Sequence, residues 1–93
     1  VNGAEAAEYG LANHAVEADE VLPRALEIAR EVASAAPLAV RWTKESIYRG
    51  LDWAPRDAAR YEAHLQSRTA ETEDSREGIA ALLGRRTPEF KGR

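Results

Sequence analysis

The chain has 93 residues with 13 Lys and Arg against 16 Asp and Glu, and the resulting formal charge of −3 argues against general nucleic-acid binding, which leaves a basic footprint. Without cysteine it has no disulfide or thiolate metal site, and no apolar run approaches the ~20 residues that span a bilayer. Alanine (19 residues) outnumbers valine, isoleucine and leucine together (16), so packing relies on close helix contacts, and such helices often need a partner surface.

Glycine and proline divide the chain into a run of helices. The first is expected over residues 4–9, stopped by Gly10, a residue suited to the left-handed position after a helix. Residues 11–17 read as an extended connector. Asp19 is the expected N-cap of a second helix reaching about residue 35, with Val21, Leu22, Ala25, Ile28, Ala29 and Val32 at helical spacing. Pro23 falls in its first turn, where a missing N–H is tolerated. Pro37 opens a third helix that runs to Arg49 and stops at Gly50, with Leu38, Trp42, Ile47 and Tyr48 as its buried stripe.

Asp52 is the expected cap of a fourth helix, with Pro55 in the first turn and Ala54, Ala58, Tyr61 and Leu65 on one face. Residues 67–73 are polar and read as a frayed boundary. Asp74 then caps a fifth helix, with Glu77 reaching back to close a capping box. Ile79, Leu82 and Leu83 share one face of it. Arg85 and Arg86 stand at its end, where the helix dipole favours cations. From Arg85 onward there are four basic residues and one acidic residue, so this end suits an anion; a solvated helix end is the commoner meaning of such a cluster. No segment alternates like a strand, and the fold class expected is all-α with four to five helices.

Few residues suggest chemistry. His14 and His64 lie far apart with no cysteine to complete a metal set, so no metal site is expected. Glu5 with Glu8, and Glu71 with Glu73, read as solvent-facing helix charges rather than acid/base pairs. No serine or threonine has a paired histidine. Trp42, Trp53, Tyr48 and Tyr61 sit in or beside alanine-rich helices and read as core or interface packing rather than a ligand cage.

Three segments carry a family resemblance. The stretch from Asp74 to Arg93 contains Asp74-Ser75-Arg76-Glu77-Gly78, a helix ending in Arg85-Arg86, and then Pro88-Glu89-Phe90-Lys91-Gly92. It resembles the C-terminus of the enoyl-CoA hydratase/isomerase (crotonase) superfamily. Ala4-Glu5-Ala6-Ala7-Glu8-Tyr9-Gly10-Leu11-Ala12-Asn13-His14-Ala15-Val16 is similar to the Ala-x-Glu-Ala-x-x-x-Gly-Leu-Val-Asn segment of that family. Between them, Pro37-Leu38-Ala39-Val40-Arg41-Trp42-Thr43-Lys44 is similar to its Pro-x-Ala-x-x-x-x-Lys helix start. The three matches occur in family order and span the chain.

The resemblance implies that residues 1–93 are a single C-terminal helical, oligomerisation domain, with the spiral catalytic domain upstream and absent from this chain. The lack of any methionine fits a shortened chain. It implies a parent enzyme acting on an acyl-CoA thioester, with hydration of a 2-enoyl-CoA as the reaction, while the 93 residues supply no catalytic group. Isomerases, dehalogenases, decarboxylases and ring-forming synthases share this terminus. No permanently bound cofactor is implied, since coenzyme A belongs to the substrate. The partners implied are acyl-CoA and further copies of the chain, as trimer or hexamer, with no nucleic acid or membrane, and the expected location is cytoplasmic.

By motif, the family's coenzyme A contacts from a neighbouring subunit fall on Leu82 and Arg85. Arg85 keeps the positive charge of the usual lysine, whereas Leu82 replaces an aromatic and loses any stacking on adenine. Gly84 replaces an acidic residue and weakens the helix end. Lys44 aligns with a common family lysine, expected to bridge to a neighbouring helix. The rival reading is a stand-alone helical interaction module, for which the reading frame upstream of Val1 is the discriminator.

Overall fold

A computed structural model describes residues 1–93 and contains five helices and no strand: α1 (Gly3–Glu8), α2 (Val21–Ala33), α3 (Pro37–Gly50), α4 (Pro55–Ala70) and α5 (Glu73–Leu83). This is the all-α architecture expected. No helix is long and apolar enough to cross a membrane. The chain divides into two compact units, Val1–Glu31 and Val32–Arg93.

In the first unit, Asn2 caps α1. Its side chain accepts from the Glu5 N–H at 2.9 Å, and the Glu5 carboxylate accepts from the Asn2 N–H at 2.9 Å, closing a capping box. Glu5 is therefore a cap partner, not the plain solvent charge expected. At the other end Gly10 has φ 75°, with Gly10 N–H donating to Ala7 O and Leu11 N–H to Ala6 O, the two bonds of a Schellman turn. α2 begins at Val21, so Asp19 lies in the turn before it and not at the cap.

In the second unit, α3 lies antiparallel to α4. Gly50 stands beside Ala58, where an added Cβ would meet the Ala58 Cβ at 3.5 Å, and Arg68 covers the Trp42 ring at 4.8 Å. Gly50 is the last residue of α3 rather than a stop beyond it. The stripe turned toward α4 includes Ala39, Trp42, Ser46 and Gly50, while Ile47 and Tyr48 are 59% and 63% exposed, against expectation. A step of three or four residues from Trp42 along a helix reaches Ser46 and then Gly50, leaving 47 and 48 to the side. Lys44 makes no salt bridge; its Nζ sits 5.9 Å from the Tyr48 ring centroid.

Leu65 of α4 is buried. Tyr61 Oη donates to Glu45 Oε1 at 2.5 Å, Arg49 Nε lies 3.1 Å from the same carboxylate, and Trp53 meets the Tyr61 ring edge-on at 5.2 Å. The Tyr61 hydroxyl, then Arg49, hold the Glu45 carboxyl below its ordinary range, and that hydrogen bond raises the Tyr61 phenol. Ala54, not Asp52, occupies the N-cap of α4, with Pro55 at the first helical position. The polar stretch after Ser67 stays helical through Ala70.

Candidate functional site

Thr72 caps α5, its hydroxyl accepting from the Ser75 N–H at 3.0 Å. Asp74 is therefore inside the first turn, which corrects the expected capping box. It is 3% exposed, and its two carboxylate oxygens accept from the Lys91 and Gly92 N–H groups at 2.7 and 2.8 Å. Its own N–H donates to the Arg93 carbonyl. Residues 87–93 thus run back along α5 as a strap. Phe90 approaches Gly78, where an added Cβ would lie 3.6 Å from its ring, and Gly92 takes φ 73° beside Pro37.

One turn along, Glu77 makes a second clasp. Its Oε1 and Oε2 accept from the two terminal nitrogens of Arg86 at 2.5 and 2.8 Å, and Oε1 also accepts from the Glu89 N–H at 2.9 Å. The Arg86 bond, then the Glu89 amide, hold the Glu77 carboxyl down to about 2, and the Arg86 guanidinium is pushed above its usual value by the same contact.

Between these clasps and the helix stands Arg85. The Arg85 N–H donates to Leu82 O at 3.2 Å and the Arg86 N–H to Ala81 O at 3.0 Å, the same Schellman pattern that closes α1. Here, however, the left-handed position is Arg85, at φ 50°, while Gly84 keeps right-handed geometry. A side chain in that region costs energy that glycine avoids. No ion pair or side-chain hydrogen bond within the chain engages Arg85.

The two candidate residues are on the same exposed helix end. Leu82 is 79% exposed and lines an apolar groove of about 290 Å³ with Leu38, Gly78, Ile79 and Phe90. A polar groove on the strap side is lined by Glu77, Arg86, Glu89 and Lys91. The geometry separates the basic pair: Arg86 is committed to Glu77, and the Arg85 side chain has no partner within the chain. Sequence reasoning missed the strap residues Asp74 and Glu77 because Asp-x-x-Glu before an apolar run also spells a helix cap. The signal that separates the two is Thr72, another cap-forming residue two positions earlier.

Comparison with known proteins gives the family of the chain. The enoyl-CoA hydratase/isomerase family matches residues 1–93, the whole chain. The chain belongs to that family. Among curated relatives of this hydratase/isomerase chain, mouse (Mus musculus) enoyl-CoA hydratase domain-containing protein 2, mitochondrial, is 38% identical over 97 residues, covering 100% of the chain and 33% of the relative. The 2,3-dehydroadipyl-CoA hydratase of Escherichia coli K12 is 34% identical, covering 100% and 36%. An enoyl-CoA hydratase/isomerase structure from Mycobacterium paratuberculosis aligns with TM-score 0.91 at 40% identity, over 97% of this chain and 35% of that one. An enoyl-CoA hydratase structure from Bacillus anthracis aligns with TM-score 0.96 at 34% identity, over 100% and 36%. The chain spans about a third of the length of the relatives it matches.

Proposed function

We propose that these 93 residues are the C-terminal helical domain of a longer cytoplasmic enzyme acting on acyl-CoA thioesters, with hydration of a 2-enoyl-CoA as its reaction. Water would add its hydroxyl to the β carbon and a proton to the α carbon, through an enolate held by an oxyanion hole in the upstream spiral domain. The domain's own contribution is twofold: assembly of subunits into a trimer or hexamer, and one edge of the coenzyme A site of a neighbouring subunit. There Arg85 holds a phosphate, and Leu82 borders the nucleotide by apolar contact alone.

The observation that carries this reading is the family match over the full chain, joined to an Arg85 guanidinium that has no partner of its own. An arginine fork fits phosphate oxygens two at a time.

The test is kinetic and uses the full-length protein. Arg85→Ala should raise KM for the acyl-CoA about three- to tenfold with kcat nearly unchanged, because a contact remote from the reacting carbon need not strengthen in the transition state. With a pantetheine thioester that lacks the nucleotide, the difference should vanish. Rising salt should narrow it. Equal KM values for Arg85→Ala and wild type, with the oligomer intact, would remove Arg85 from the site and return it to the role of a helix-end cation.

A further inference from the structure

We infer that Glu77 is a positioning residue for Arg85: by gripping Arg86 and the Glu89 amide, it fixes the chain just beyond Arg85 and so aims the free guanidinium at its anion. This rests on the phosphate-binding reading of Arg85.

The argument begins with the backbone. Arg85 occupies the left-handed region at φ 50°, a conformation that an arginine at a frayed helix end has no reason to keep. On its N-terminal side the Schellman bonds of Arg85 and Arg86 to Leu82 and Ala81 define the turn. Those bonds join backbone atoms of the helix's own last turn, the part of a helix that frays first. The remaining constraint comes from the C-terminal side. There Glu77, anchored in the second turn of α5, takes both terminal nitrogens of the next residue's guanidinium and the backbone N–H of Glu89. Three charge-assisted bonds on one carboxylate close a loop around Arg85. Asp74 holds the strap farther on, at Lys91 and Gly92, and leaves residues 85–89 to Glu77.

The same clasp assigns the two arginines different tasks. Arg86 is spent on Glu77 as an anchor, so Arg85 is the one of the pair without a partner in the chain. Removing Glu77 would free Arg86 and raise the local positive charge by one, and Coulomb's law alone would then tighten phosphate binding. Positioning predicts the opposite sign.

The experiment measures KM and kcat of the full-length protein with an acyl-CoA and with the matching pantetheine thioester. For Glu77→Gln the acyl-CoA KM should rise about three- to tenfold, as for Arg85→Ala, with kcat nearly unchanged and the pantetheine thioester KM unaffected. In the Glu77→Gln, Arg85→Ala double variant the KM should be no higher than in Arg85→Ala alone, since a residue acting through another adds nothing once that one is gone. Glu77→Asp is the second variant: it keeps the charge, shortens the reach, and should raise the KM part of the way. If Glu77→Gln fails to fold, Glu77→Asp decides, and a wild-type KM there overturns the proposal. An unchanged or lowered KM in folded Glu77→Gln, beside a raised one in Arg85→Ala, overturns positioning and leaves the phosphate contact standing. Wild-type KM in both Arg85→Ala and Glu77→Gln overturns the phosphate contact itself.

Discussion

Asp74 shows how one buried carboxylate can fold a tail. It is 3% exposed, yet it has no cationic partner; two backbone N–H groups, from Lys91 and Gly92, supply its hydrogen bonds at 2.7 and 2.8 Å. A buried charge bonded in this way is stabilised only while both donors stay in place. Replacing it by alanine leaves those donors without an acceptor. For Asp74→Ala we expect amide hydrogen exchange at Lys91 and Gly92 to accelerate about 30-fold, which corresponds to about 2 kcal/mol of local stability. Unchanged protection of those two amides would show that the strap is held by Phe90 and the Arg93 carbonyl instead. The burial of Asp74 was not legible in the sequence, because an Asp five residues before the apolar run that starts at Ile79 fits a cap as well as it fits a clasp. Arg85 was legible as a cation at a helix end; its left-handed backbone was not, since Gly84 offered the more usual residue for that conformation one position earlier.

At the scale of elements, α5 and its strap form a unit whose outer clasp responds to acid. The Glu77 carboxyl lies at about 2 in the folded chain, against about 4.3 for an unperturbed glutamate. The folded state therefore binds fewer protons in this interval. The contribution of the charged form is complete above the unfolded value and is lost as pH falls through the folded one. The Glu89 amide proton, bonded to Glu77 Oε1, should thus titrate by NMR with a midpoint near pH 2. A midpoint above pH 4 would mean that the Arg86 clasp does not persist in solution, and Glu77→Gln should abolish the transition.

Element existence was easier to read than element ends. Pro37 and Pro55 each open a helix, and Gly10 closes α1 in the left-handed conformation, because ring closure and the lack of a Cβ act locally. Caps at Asp19, Asp52 and Asp74 were misplaced by a few residues, since a polar side chain serves at any of several neighbouring positions. The stripe of α3 was read partly off its face for a tertiary reason. Gly50 and Ala58 let α3 and α4 approach closely, and that contact fixes the rotation of α3 about its axis.

For the whole molecule, the decisive quantity is how little is buried. Leu65 and Ala81 are the only buried apolar residues, while Leu11, Leu51, Ile79, Leu82 and Leu83 are each more than half exposed. An isolated chain of this kind presents apolar surface that seeks a cover. Sedimentation of the 93-residue chain should show self-association that increases with concentration. A compact monomer with cooperative unfolding across the whole concentration range would count against that expectation. The thin core was readable from the excess of alanine over larger aliphatic residues. Which faces stay open was not, because helical spacing gives an apolar face without saying what covers it.

The two Schellman turns of this chain, one closed by Gly10 and the other by Arg85, set up a contest between selections. A laboratory evolution run scored on heat resistance alone should drift toward Arg85→Gly, which relieves the left-handed backbone by about 1 kcal/mol. Under the phosphate contact proposed for Arg85, a run on the full-length protein scored on turnover at scarce acyl-CoA should hold the arginine and find its stability elsewhere. Lineages from the two regimes would part at position 85.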